Sequence, residues 1–514
     1  KDFSLESGAT QTVRLSRLGG TAPVEWDLKA PRVLKEPPKG FDSENPIDVS
    51  RGLGWIMGSE ASLRLNVYYR NQLLQSFNLT ALVGNQVSSD GMAIRMECDY
   101  SQTTRFGHLG DFGKRELSLA LNADNETHTL MLAKDRGSAS VRWDVQQLAN
   151  DTEDVRQQLY DAMAENGASR FAFDPQTLEL LAQSLPHFET GVRALAKAGS
   201  RLHDKLFQRT ALDPKLEQAL QDLRVQDADV VQITATDPDY AFPWPILYDF
   251  KLPRNAAAAT APICSGALAN GSRCGCHTDA KGYCLRGFWG LRLVVEQRAP
   301  GPEPLRNVRS RIAPSASEPV IGLVAAVSDQ FIDEWAKTLE EVTKLTVKTF
   351  SNTESLLHTF RNQASRPSVI IFVGHHRNDG SDKSPYHQLL SPADDSILSL
   401  ADFKENQRWD LPRSLVFLLA CSAGTARADT GPSLATALLN HGAAGVLATE
   451  CTVYTPMVAR ISRDILTALA ANDAGGAKTT IGQAMQQTLL ELAREGCPLG
   501  LAFTYHGVAE ASLP

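Results

Sequence analysis

The sequence predicts an α/β protein with a mostly parallel sheet and flanking helices in its C-terminal half. A β-rich, sandwich-like N-terminal domain and a helical segment precede it. Three observations carry this expectation. From Pro319 onward, short continuous apolar runs alternate with stretches of helical spacing, the pattern of a sheet covered on both faces. Before about residue 148, runs of alternating polar and apolar residues are broken by Gly, Asn and Asp, which reads as half-buried antiparallel strands. Between these regions the spacing is helical. With 514 residues the chain exceeds what one core accommodates.

In chain order, residues 1–148 form the expected β-rich binding or scaffold domain. The stretch from Ser62 to Tyr69 alternates for most of its length, and Leu74–Val83, Met92–Cys98, Glu116–Leu121, Thr127–Leu132 and Ser138–Trp143 are similar. An antiparallel sandwich accommodates such strands. Residues 149–225 form the helical segment, with Asp174-Pro175 and Asp213-Pro214 as helix starts. Residues 226–514 form the third region. Val230–Thr236 opens it as a strand, Phe242–Tyr248 is a rigid Pro-Trp turn, residues 255–285 are a Cys-rich insertion, and residues 296–318 are a linker. The main strands are Val320–Val327, Leu345–Phe350, Val369–Gly374, Ser414–Ala420 and Ala444–Thr449.

Sites in such sheets gather beyond the C-terminal ends of strands. Two strands end in reactive residues: one runs Phe372-Val373-Gly374-His375-His376, the other Leu419-Ala420-Cys421-Ser422-Ala423-Gly424. A lone cysteine there is more often an inert buried thiol, and a lone histidine a hydrogen-bonded structural one. Their joint placement at strand ends favours a catalytic pair. An imidazole removes the proton from a thiol of ordinary pKa near 8.5 and later protonates the leaving amine. The backbone N–H groups of His376 and Cys421 are candidates for the oxyanion hole.

These residues resemble the CHAT family of caspase-like, clan CD cysteine peptidases, over roughly residues 190–514. The resemblance rests on Phe372-Val373-Gly374-His375, on Ala420-Cys421-Ser422-Ala423-Gly424, on the Pro-Trp segment from Phe242 to Asp249, and on Gly442–Ala448. It implies a caspase-like fold and a cysteine endopeptidase with His375 as base and Cys421 as nucleophile. It also implies a protein substrate and a regulatory or activating protein partner, in prokaryotic signalling or defence. The family usually has Gly after the catalytic His; this chain has His376, which leaves open a base role for His376 or a catalytically degenerate scaffold. His preceding Cys excludes the class I amidotransferase arrangement, in which Cys comes first. Several acidic residues, Asp379, Asp382, Asp394, Asp395, Asp429 and Glu450, lie near the expected site; each reads first as a solvated loop charge.

Four of the eight cysteines, Cys264, Cys274, Cys276 and Cys284, fall within 21 positions, with His277 beside them. Four thiolates so close can surround one tetrahedral Zn²⁺, and His277 is an alternative ligand. Two disulfides or four unpaired thiols are the other readings. Four sulfurs leave no position for water, so the expected zinc is structural and the chemistry needs no catalytic cofactor.

A net charge of −8 argues against direct nucleic-acid binding and against a zinc-stabilised nucleic-acid sensor. No apolar stretch approaches the roughly 20 residues of a membrane span. No secretory leader is legible, and the chain opens on Lys1 rather than Met. Dispersed cysteines with one metal cluster fit a reducing, cytoplasmic compartment.

Overall fold

The fold is seen in a computed structural model of the chain. It describes residues 59–83, 94–102, 113–207 (apart from 125–126, 135–136, 166–167 and 175), 214–223, 229–235, 242–253, 260–264, 276 and 281–298. Toward the C-terminus it describes 320–325, 329–350, 355, 367–378, 387–390, 397–399, 414–420, 433–440, 442–471 and 478–513, besides the short strands at 4–5 and 28–29.

The chain divides into two compact units. The first comprises Lys1–Tyr69, Leu73–Phe112 and Gly301–Pro304; the second comprises Arg70–Gln72, Gly113–Pro300 and Leu305–Pro514. The first unit contains a three-stranded sheet, β1 (Ser59–Tyr69), β2 (Gln72–Val83) and β3 (Ile94–Ser101), in that order. Strands β1 and β2 are joined through Arg70 and Asn71, both at positive φ (50° and 61°). That backbone twist suits a two-residue hairpin.

The second unit is built on a sheet of 13 strands. They are β4 (Leu117–Asp124), β5 (Thr127–Lys134), β6 (Gly137–Asp144), β7 (Val230–Ala235), β8 (Val294–Arg298), β9 (Val320–Ala325) and β10 (Thr346–Phe350). The rest are β11 (Val369–Asn378), β12 (His387–Leu390), β13 (Ile397–Ser399), β14 (Leu415–Ala420), β15 (Gly445–Thr449) and β16 (Phe503–Gly507). Their order is β10-β9-β11-β14-β15-β16-β8-β7-β4-β5-β6, and β12 and β13 extend from β11.

Strands β10, β9, β11, β14 and β15 are all parallel. Along β14, Leu415, Phe417 and Leu419 enter one core, while Val416, Leu418 and Ala420 enter another. Helices α5 (Asp329–Thr343) and α7 (Thr455–Ala470) cover the first face through Trp335, Leu339, Ile461 and Ile465. Helix α6 (Leu434–Asn440) covers the second through Leu434, Leu438 and Leu439. Burial on both faces is why these strands read as unbroken apolar runs.

The direction reverses at β16, which is antiparallel to β15. Strands β8, β7 and β4 run parallel to β16, and β4, β5 and β6 form an antiparallel meander. The three strands at 117–144 therefore lie in the large sheet, not in an N-terminal sandwich ending at residue 148. The reason is non-local: β4 pairs with β7, matching Leu117 to Val231, and no local pattern encodes that partner.

The helical segment contains α1 (Val145–Met163), α2 (Leu185–Phe207) and α3 (Pro214–Leu223). Helix α2 packs on the Pro-Trp segment so closely that a Cβ on Gly199 would come 2.0 Å from the carbonyl oxygen of Ile246. Phe207 stacks on Trp289, ring centroids 5.8 Å apart, in the one-turn helix α4 (Trp289–Arg292). Asp249 accepts hydrogen bonds from Trp289 Nε1 (3.1 Å) and from Arg292 Nη1 and Nη2 (3.0 and 2.7 Å). Both Asp249 and Arg292 are buried, and these bonds offset the cost of burying the charge pair. Helix α8 (Ile481–Arg494) starts on a capping box between Thr480 and Gln483. No helix among the described residues is long and apolar enough to cross a membrane.

Burial in β16 pushes the His506 imidazole down from an ordinary 6.5 to about 4. The unfolded chain then takes up this proton first as pH falls. Stability contributed by the neutral ring is complete above pH 6.5 and drains away toward pH 4, by roughly 3 kcal/mol in all. Denaturant unfolding of wild type and His506→Gln across that window checks this: the variant should show a shallower loss, and equal slopes would refute it.

Candidate active site

The C-terminal ends of β9, β11, β14 and β15 lie at one edge of the sheet. In register, Val373 is opposite Leu419 and Gly374 opposite Ala420. The backbone of His375 therefore leaves the parallel sheet one residue beyond a pair whose other member precedes Cys421. Cys421, and the side chains of His375 and His376, lie outside the described residues. Strand β11 does not stop at this edge. It runs on to Asn378 and pairs antiparallel with β12, matching His375 to Leu390 and His376 to Leu389. Sequence reading ends the strand at Gly374 because polar His-His-Arg-Asn breaks the apolar run, while a hairpin edge tolerates polar residues.

The neighbouring strand end is held by polar contacts that periodicity does not reveal. Thr449 Oγ1 donates to the carbonyl oxygen of Ala420. Glu450 follows, buried at 1% exposure, with its N–H donating to Ala502 O at 2.8 Å. One carboxylate oxygen accepts from Arg156 Nε and Nη2 of helix α1, both at 3.0 Å. The other, Oε1, is buried and has no hydrogen-bond partner among the described residues. Cys451 Sγ lies 4.0 Å from Met163 Sδ at the end of the same helix. Glu450 is thus a buried, paired charge and not a solvated loop residue. Its partner lies 294 positions away, which is why sequence order hides it. The other five acidic residues considered near the site lie outside the described residues.

Three cysteines of the Cys-rich insertion converge. The Sγ atoms of Cys264, Cys276 and Cys284 all lie within 4.8 Å of one another, and Cys264 and Cys276 are 3.0 Å apart. Cys274 and His277 lie outside the described residues. No disulfide joins any two of the described cysteines.

The parallel sheet, covered on both faces, thus sets the His375-bearing strand β11 beside the end of β14 that precedes Cys421. Residues 321–508 match the model of peptidase family C25. The match is to C25, whereas the sequence motifs resemble the CHAT family of the same clan. A probable protease of Vitiosangium sp. (strain GDMCC 1.1324) is 22% identical over 479 residues, covering 86% of this chain and 60% of its own length. The chain thus spans about 60% of the length of that curated relative. Among solved structures, the complex of Porphyromonas gingivalis RgpB pro- and mature domains shows 11% identity and a TM-score of 0.34, over 71% of this chain and 77% of that one. The Saccharomyces cerevisiae separase–securin complex shows 10% identity and a TM-score of 0.40, over 77% and 30%.

Proposed function

We propose that the chain is a cysteine endopeptidase acting through a His375–Cys421 dyad on a protein substrate. The observation that supports this reading is the pairing of Gly374 with Ala420, the residues immediately before the base and the nucleophile. Adjacent parallel strands are about 4.8 Å apart, so side chains leaving both ends at one level come within reach of a shared proton. The C25 match spans both residues.

In this mechanism the His375 imidazole takes the Cys421 thiol proton. The thiolate attacks the peptide carbonyl carbon, and the electron pair moves onto the oxygen. The backbone N–H groups of His376 and Cys421 receive that oxyanion. Collapse expels the amine, which takes the proton from the imidazolium and leaves a thioester. Water, deprotonated by the same imidazole, then releases the acid. The family resemblance adds an activating protein partner in prokaryotic signalling or defence.

The test is labelling with a thiol-reactive peptidyl electrophile at neutral pH, mapped by mass spectrometry. Cys421 should be modified ahead of the other seven cysteines, and His375→Ala should abolish that preference. His376→Gly should keep it. Loss of labelling in His376→Gly with His375→Ala unaffected would move the base to His376. Uniformly slow labelling of Cys421, with and without candidate partners, would favour a degenerate scaffold, the reading that His376 in place of Gly supports.

A further inference from the structure

We propose that Cys264, Cys276 and Cys284 form a structural zinc site that fastens the Cys-rich insertion to the buried Pro-Trp segment. Zinc–sulfur bonds of about 2.3 Å in a tetrahedron put ligand sulfurs about 3.8 Å apart. Three sulfurs within 4.8 Å of one another already occupy a space of that size. The three residues fall within 21 positions of one another, and the structure brings their sulfurs together.

The ligand-bearing backbone is organised independently of any ion. Cys264 N–H donates to Tyr283 O (2.7 Å) and Tyr283 N–H to Pro262 O (2.9 Å), so residues 262–264 and 283 form a short bridge. A Cβ at Gly282 would come 2.5 Å from Pro262 O; only glycine permits this approach. The Cys284 N–H donates to Tyr248 Oη at 3.1 Å, and Cys284 is fully buried. Its main chain is thereby tied to Tyr248, one residue before the Asp249 that binds Trp289 and Arg292.

Three thiolates crowded together repel one another, and a divalent cation removes that penalty. An ion held by these three thiolates ties the insertion to the buried Pro-Trp segment, and its binding free energy adds to the stability of the fold.

The experiment is metal analysis of the full chain purified under reducing conditions with zinc present, paired with cobalt(II) substitution. The expected result is a single zinc ion per chain and, in the cobalt form, the intense thiolate charge-transfer absorption of a tetrahedral site. Cys264→Ser and Cys276→Ser should lose both, while Cys98→Ser, which replaces a thiol remote in sequence from the cluster, retains both. Chelation should lower the melting temperature of the wild type and added zinc restore it. Because the wild-type cobalt spectrum and the chelation shift need no variant to fold, misfolding of a serine variant does not decide the matter. Metal-free wild type that melts identically with and without zinc would overturn the proposal, as would a Cys264–Cys276 disulfide found in folded protein purified under reducing conditions.

Discussion

If the proposed dyad operates, Cys421→Ala is expected to abolish peptide-bond cleavage and leave the fold in place. The nucleophile supplies the covalent step that splits a difficult reaction into two easier ones, and losing it costs on the order of 10⁴–10⁶ in kcat. His375→Ala falls in the same range, and the double variant should be little worse than either single one, because the two groups act as a unit. The fold survives because β14 is complete at Ala420: its six residues are all buried and its pairing with β11 and β15 uses backbone atoms. Steady-state cleavage of a protein substrate, alongside thermal melts, measures both halves. Cleavage by Cys421→Ala above a small residue of activity would remove Cys421 from the mechanism.

Arg156→Ala unfolds more easily than wild type by about 3–5 kcal/mol, the cost of leaving a buried carboxylate without its cation. Glu450 is 1% exposed and Arg156 8%, so solvent cannot replace the missing partner. A surface pair at this separation would be worth only about 0–1 kcal/mol. Replacing both partners, as in Arg156→Met with Glu450→Leu, should recover much of the loss, because no charge is then stranded. Urea titration of the single and double variants supplies the cycle, and a cost of Arg156→Ala below about 1 kcal/mol would mean that water reaches Glu450. The pair joins helix α1 to the strand end beside Ala420, and Thr449 bonds to the Ala420 carbonyl. Arg156→Ala should therefore also slow cleavage, through a looser strand end.

The local grammar of the chain is legible where local forces decide it. The strands around Ile371, Phe417 and Leu447 are apolar runs of strand length because both their faces are buried. The capping box at Thr480 and Gln483 lies within one turn of helix. The end of the apolar run before His375 and the strand end before Cys421 are legible for the same reason, because buried residues stop and reactive ones follow, although β11 itself continues to Asn378. The convergence of Cys264, Cys276 and Cys284 is announced by spacing.

Other features depend on which distant segments meet. The large sheet takes in β4, β5 and β6 because β4 finds β7 more than a hundred residues later. Its reversal at β16 follows from pairing with β15 on one side and β8 on the other. Glu450 changes from an apparent loop charge to a buried ion pair because α1 brings Arg156 to it. The sequence alone determined that an α/β domain with a His-then-Cys pair of strand ends would form, since hydrophobic periodicity and strand termination act over a few residues. Strand order, direction and the partners of buried charges were decided only by the tertiary structure, because hydrogen-bond registry and ion pairing join residues that no local pattern relates.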